Sequence, residues 1–163
     1  MQFEAEHWFN GSPRAVATLM TNPQFYESLA LPDVSKPEVL ETNADDQRSR
    51  LRLRYEFIGG LDATARRLIG GNRLAWIQEV VVEHVAADGE VTYSSVADTR
   101  RLRGSAHFDL QANNGRCVRR LKGELVVAVP LIGPRVEQKI VPGMLRRLDI
   151  EAEAINNALA ENR

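Results

Sequence analysis

The side chains best suited to metal binding or nucleophilic chemistry are His7, His84, His107 and Cys117. The histidines fall on three different predicted strands, and strand alternation turns His7 inward but His107 outward. Rings that face opposite sides of a sheet cannot meet at one metal ion. A lone cysteine is more often a small buried hydrophobe than a nucleophile, which argues against a Cys117–His7 pair. Since phosphate-loop, H-E-x-x-H and C-x-x-C motifs are also lacking, we predict no catalytic residue, metal or cofactor.

A second group of side chains is turned toward the concave side of the predicted sheet. A mostly apolar pocket with a few polar groups is the usual form of a small-molecule site. The alternative is that each polar group only bonds its neighbours, as buried polar groups usually do. The predicted ligand-binding residues, polar groups and apolar wall together, are His7, Tyr55, Trp76, Gln78, Tyr93, Ser95, Phe108, Arg119 and Leu148.

The elements that would position these groups are mostly strands with a period-two pattern of apolar residues. Asp88-Gly89 and Asn113-Asn114-Gly115 are hairpin signals between neighbouring strands. Strands joined by such tight turns are antiparallel. Residues 63–68 can form a helical turn between two of them. The predicted strands are residues 2–9, 37–42, 48–57, 74–86, 91–98, 105–110 and 117–129.

One strand carries an arginine at every second position from Arg48 to Arg54. The arginines therefore share one face, which suggests either a nucleic-acid surface or a solvated face paired with acidic neighbours. Lys+Arg 21 against Asp+Glu 22, with a pI near 6.3, favours ion pairs. We predict no nucleic-acid partner. The acidic partners expected on adjacent strands are Glu79, Glu83 and Glu124.

Helix signals stand at both ends of the chain. Ser12-Pro13 and Asn22-Pro23 each combine an N-cap residue with a proline at the first helical position, which predicts two short helices. A longer helix is predicted from Pro134 to Ala160, about 40 Å long. Pro142-Gly143 within it predicts a kink or a hinge. Arg146-Arg147 predicts a solvated face paired with Asp149, Glu151 or Glu153. Its predicted apolar stripe is Val141, Leu145, Leu148, Ala152, Ile155 and Leu159.

The order of these elements resembles the helix-grip fold of the START-like superfamily, which includes birch-pollen-allergen proteins and polyketide aromatase/cyclases. The most specific local feature is the junction Val129-Pro130-Leu131-Ile132-Gly133 followed by Glu137, which is similar to one uncharacterised bacterial family. The resemblance implies an α+β fold: a curved seven-stranded antiparallel sheet wrapped on the long C-terminal helix. It also implies an elongated apolar cavity between them, of the kind that holds lipids, sterols or polyketides.

Length and composition set the remaining expectations. We expect residues 1–163 to form a single START-like domain. One cysteine allows no intrachain disulfide, and no apolar run reaches the ~20 residues that span a bilayer. The start of the chain is acidic and has no apolar signal core. We therefore expect a cytoplasmic protein without stable membrane insertion, and the oligomeric state stays open.

Three functions compete on this sequence. We favour binding, or transport, of a hydrophobic small molecule or lipid in the cavity, without catalysis. The second is a polyketide cyclase- or dehydratase-like enzyme that uses His7 or Tyr93 as general acid or base. The third is a protein-interaction module without ligand, which uses the arginine strand or an open sheet edge.

Overall fold

An antiparallel sheet of seven strands forms the body of the computed structural model, which describes residues 1–60, 62–63 and 73–162. The strand order is β1-β7-β6-β5-β4-β3-β2, so β1 closes against β7 and the sheet has open edges at β1 and β2. Apart from the β1–β7 pair, every pair of hydrogen-bonded strands is consecutive in sequence. The strands are β1 Gln2–Phe9, β2 Glu38–Ala44, β3 Arg48–Glu56, β4 Ala75–Glu83, β5 Asp88–Ser95, β6 Leu102–Asn113 and β7 Arg116–Val127.

Two short helices follow β1, and one long helix follows β7, as predicted. The Ser12 hydroxyl caps the first helix by accepting from the Ala15 N–H, and the Asn22 side chain caps the second. Each short helix also has proline in its first turn. The predicted turn at 63–68 lies, except for Ala63, outside the described residues. Within the described residues the helices are α1 Pro13–Met20, α2 Pro23–Ser28 and α3 Gly133–Glu161.

Strand β3 separates a buried face from a charged face. Leu51, Leu53 and Tyr55 point inward and are buried, while the arginines between them point outward. Glu79 and Glu83 are confirmed as arginine partners, but Glu124 is wrong because it lies on β7, opposite Gln2 and far across the sheet. The observed ion pairs join Arg48 to Glu83, Arg50 and Arg52 to Glu41 and Glu79, and Arg54 to Glu38 and Glu56.

The hairpin predicted at Asp88-Gly89 is displaced. The turn lies at residues 84–87, where Ala87 has φ 53°, and both Asp88 and Gly89 already belong to β5. Gly89 has a packing role instead: a Cβ there would lie 2.1 Å from the Val81 carbonyl oxygen. The second hairpin is confirmed, since Asn114 and Gly115 take positive φ between β6 and β7.

The junction between β7 and α3 is held by Gly133 and Glu137. A Cβ on Gly133 would lie 2.2 Å from the Val127 carbonyl oxygen, so only glycine fits there. One Glu137 oxygen accepts from the Val127 N–H at 2.9 Å. Leu131, which lies between the end of β7 and the start of α3, is 98% exposed. The junction therefore fixes the start of α3 against the end of the sheet.

Helix α3 covers the concave face of the sheet and runs unbroken through Pro142. Its buried face is turned relative to the predicted stripe, because Leu145 and Leu159 are only half-buried. None of the helices in the described part of the chain is long and apolar enough to cross a lipid bilayer. The residues of α3 buried after its first turn are Val141, Met144, Leu148, Glu151, Ala152 and Ile155.

Candidate functional site

A buried ion pair joins the middle of the sheet to α3. Arg119 on β7 is 1% exposed, and its guanidinium donates to Glu151 Oε1 at 2.6 Å. The other Glu151 oxygen accepts from the Tyr26 hydroxyl at 3.3 Å. The Arg119 guanidinium also lies 5.5 Å from the centre of the Phe9 ring. Burial of two opposite charges is tolerable because each is paired and hydrogen-bonded.

His7 extends this pair to the surface of α3. It lies opposite Arg119 in the β1–β7 register, and its Nδ1 is 3.2 Å from an Arg119 NH2 group. A guanidinium can only donate, so Nδ1 accepts and the proton sits on Nε2, which donates to Asp149 Oδ1 at 3.0 Å. Burial and the Arg119 charge lower the pKa of His7. His7 is thus neutral near pH 7 with both nitrogens occupied, which argues against the general-base role.

A small cavity lies beside this network, between the sheet and α3. Its volume is about 10 Å³, which is close to the space that one water molecule needs. The elongated apolar cavity that the resemblance implies is not open here, because side chains fill this space except for a void of that size. It is lined by the apolar residues Leu29, Leu31, Met144 and Leu148 and by the polar residues Tyr26, Tyr55, Gln78, Tyr93, Arg147 and Glu151.

Several polar groups face this cavity without a protein partner. Tyr55, Gln78 and Tyr93 are buried, and their side chains make no hydrogen bond to any described residue. Burial raises the pKa of Tyr93 to about 12 and that of Tyr55 further. Both phenols are therefore protonated and able to donate. All three residues line the cavity, where a water molecule or a ligand can bond their polar atoms.

Arg147 closes the cavity on the side of β3 and β4. Its guanidinium carbon lies 5.0 Å from the ring centres of both Tyr55 and Trp76, whose rings stack 5.6 Å apart. The Nε atom is buried and has no hydrogen-bond partner among the described residues. The sequence prediction of a solvated Arg147 was wrong, since the aromatic pair attracts the cation toward the sheet. Arg146 is exposed.

The structure brings most of the predicted site residues together. Tyr55, Gln78, Tyr93 and Leu148 line the cavity. Trp76 adjoins it through the Tyr55 stack. His7 and Arg119 belong to the adjoining polar network rather than to the cavity wall.

Two predicted residues lie elsewhere. Phe108 is fully buried, and its ring lies 2.6 Å from where a Cβ on Gly89 would be, so it packs under β5 in the core. Ser95 lies opposite Trp76 at the end of β5 and does not line the cavity. Alternation predicted the face of both residues correctly but not their distance from the cavity.

Sequence reasoning missed the cavity residues that come from helices and their connections. Glu151 was assigned to the solvated side of α3 as a partner of Arg146 or Arg147. The available signal was its position three residues after Leu148 and four before Ile155, inside the apolar stripe. An inward arginine on the sheet needs a buried acid, and Glu151 is the acid on that face. The others missed are Tyr26, Leu29, Leu31, Met144 and Arg147.

The remaining histidines and the cysteine lie apart from this site. His84 bonds the Ser49 hydroxyl at 2.8 Å beside the β4–β5 turn, and His107 faces outward near Asp88. Cys117 is buried, and burial raises its pKa to about 11. Within the described residues, no group of three or more His, Cys, Asp or Glu is placed to hold a metal ion.

A sheet that wraps one long helix, with two short helices after the first strand, is the helix-grip fold. This chain belongs to the family described as "Protein of unknown function (DUF2505)", whose model matches residues 4–159. No curated protein sequence matches it.

Solved structures with the same fold are distant in sequence. TTHA0849 from Thermus thermophilus superposes with a TM-score of 0.69 at 13% identity over 100% of both chains. The Zhui aromatase/cyclase from Streptomyces sp. R1128 gives 0.63 at 12% identity, over 97% of this chain and 92% of that one. A START superfamily protein from Mycobacterium smegmatis gives 0.58 at 12% identity over 99% of both. At these identities the likeness establishes the fold alone.

Proposed function

We propose that this protein binds a small hydrophobic molecule between the sheet and α3, and that the cavity is the closed form of this site. The observation that carries the proposal is the convergence of apolar side chains with unpartnered polar groups at one point. Apolar walls supply the free energy of binding, about 25 cal/mol per Å² removed from water, and the polar groups orient the ligand.

A ligand can enter only if the lining moves. Ligand sites typically measure about 300–1,000 Å³, far above the present volume. Leu29 and Leu31 lie in the connection after α2, and Met144 is an unbranched side chain that repacks readily. Outward movement of these side chains opens the cavity without breaking a sheet hydrogen bond.

The polar contacts of α3 favour opening on one side. Asp149 and Glu151 hold the helix to His7 and Arg119, and Asn156 accepts from the Asn10 N–H and donates to the Trp8 carbonyl. All of these contacts reach β1, β7 or the turn after β1. Toward β3 and β4, α3 is held by the ring contacts of Arg147 and by an exposed ion pair, 3.0 Å long, from Lys139 to Asp62 in the connection after β3. Because an exposed ion pair contributes little, α3 is held more firmly along the β1–β7 side than along the other.

The aromatase/cyclase neighbour keeps catalysis as the alternative, but the geometry favours binding. A general base needs a free nitrogen or oxygen near the substrate. His7 has none free, and a phenol such as Tyr93 with a raised pKa is a poor base at neutral pH.

The test is direct detection of a ligand. Protein purified from its own host is analysed by native mass spectrometry, and the emptied protein is titrated with the neutral probe N-phenyl-1-naphthylamine. We expect a co-purified hydrophobic molecule and saturable probe binding that tightens in Met144→Ala, which enlarges the cavity. The exposed Leu131→Ala variant is the control and should bind as the unchanged protein does. The proposal is overturned if no molecule co-purifies with the protein and the probe shows no saturable binding.

A further inference from the structure

The ligand site contains a cation for which the described residues offer no carboxylate. Glu151, one turn along the helix from Arg147, is already bound to Arg119 and Tyr26 and lines the same cavity. Among the described residues, Arg147 makes ring contacts with Tyr55 and Trp76, and its buried Nε has no hydrogen-bond partner. A partly buried guanidinium in this state gains from an incoming anion.

The groups around Arg147 are donors as well. A guanidinium has no acceptor, the Tyr55 and Tyr93 hydroxyls are protonated, and the Gln78 amide carries two N–H groups. All three of these neighbours line the same cavity as Arg147. The hydroxyls and the amide can also accept, but Arg147 can only donate, so a carboxylate suits this set because it accepts from all of these groups and neutralises the guanidinium.

We infer that the site takes a hydrophobic carboxylic acid, with its carboxylate bonded to Arg147 and the Tyr55 and Tyr93 hydroxyls and its apolar part against Leu148 and Met144. This inference rests on the proposed function and names the ligand class for that site. An amine would place a second positive charge beside Arg147, and an alcohol would leave the guanidinium without a counter-ion. The Tyr55–Trp76 stack holds the guanidinium in place, so little ordering is needed on binding.

The test compares probes of one chain length that differ only in the head group: decanoate, decanol and decylamine. Trp8→Phe leaves Trp76 as the sole tryptophan, and its fluorescence reports events beside Arg147. We expect decanoate to bind at least about tenfold more tightly than decanol, and decylamine most weakly. A parallel titration with 2-naphthoate distinguishes aromatic acids from fatty acids as the preferred source of the carboxylate.

Two variants assign the preference to one side chain. In Arg147→Met, decanoate should lose about tenfold or more in affinity relative to decanol, so that the ratio of the two affinities approaches one. The neighbouring exposed arginine supplies the matched control, and Arg146→Met should alter neither affinity. Equal loss for decanoate and decanol in Arg147→Met would show a packing role and overturn the inference.

The two proposals fail in different ways. If decanoate and decanol bind the unchanged protein equally well, the acid preference is refuted while the hydrophobic site stands. If no probe binds the unchanged protein at any concentration below aggregation, the proposed function is refuted and the acid preference with it.

Discussion

Removal of one partner from the buried ion pair should destabilise the protein strongly. Arg119→Met leaves the Glu151 carboxylate buried with only the Tyr26 hydroxyl as a donor, and His7 loses the donor to its Nδ1. Such an unpaired buried charge costs about 3–5 kcal/mol. At about 2–4 °C per kcal/mol for a chain of this size, the melting temperature should fall by about 6–20 °C.

The adjacent residue provides a matched control. Arg120 faces outward and pairs with Glu6 at 3.1 Å, with side chains 44% and 49% exposed. An exposed pair contributes at most about 1 kcal/mol, so Arg120→Met should change the melting temperature little. The two arginines thus present the same chemistry at the same place in β7 and differ chiefly in burial.

A double variant in which both charged partners are replaced by apolar residues completes the test. Arg119→Met combined with Glu151→Leu removes both charges, and the double variant should regain most of the lost stability. Urea unfolding of both single variants, the double variant and the unchanged protein measures the coupling free energy. The reasoning is refuted if Arg119→Met lowers the free energy of unfolding no more than Arg120→Met does. It is also refuted if the loss in the double variant equals the sum of the losses in the two single variants.

Three titration predictions follow from the buried groups. Burial and the Arg119 charge lower the pKa of His7, so the unfolded chain binds more protons than the folded protein does below about pH 6.5. The free energy of unfolding should therefore fall as pH drops from about 7 to about 5.5. In urea unfolding, His7→Gln should reduce this pH dependence, and an equal pH dependence in the variant and the unchanged protein would contradict the assignment. The pKa of Tyr93 is raised to about 12, and those of Tyr26 and Tyr55 are raised as well, so absorbance at 295 nm should show little phenolate in the folded protein at about pH 10.5. A midpoint near the ordinary value of about 10 would be inconsistent with buried phenols, whose stabilising effect is lost as pH rises above that value. Cys117, buried with a pKa raised to about 11, should react with Ellman's reagent slowly in the native state and fully in urea, whereas fast native labelling would disprove its burial.

The arrangement of elements could be predicted because local rules and the tertiary structure agree. Period-two patterns identified the strands, and Ser12-Pro13 and Asn22-Pro23 marked helix starts that the structure caps through those side chains. The predicted long helix, 134–160, differs from the observed one by a residue at each end. Each of these signals depends on a few neighbouring residues, which the sequence displays directly.

The errors arose where distant residues decide the outcome. Asp88-Gly89 has the composition of a turn, but Gly89 is required within β5 by the Val81 carbonyl. Glu151 and Arg147 have the charge of surface residues, but Arg119 and the Tyr55–Trp76 pair draw them inward. The cavity volume depends on side-chain rotamers and on the spacing between the layers, which no sequence pattern encodes.

The contacts that anchor α3 also restrict how it can move. Asp149 bonds His7, Glu151 bonds Arg119, and Asn156 bonds the backbone at Trp8 and Asn10, all on the sheet side of α3. Successive helical residues are about 100° apart, so a roll of α3 about its own axis by even one residue would part all three contacts together. A tilt of α3 about the line of these three residues preserves all of the contacts. The opening that the proposed function requires is therefore a tilt of α3 about this row of contacts, with the rotation of the helix about its own axis unchanged.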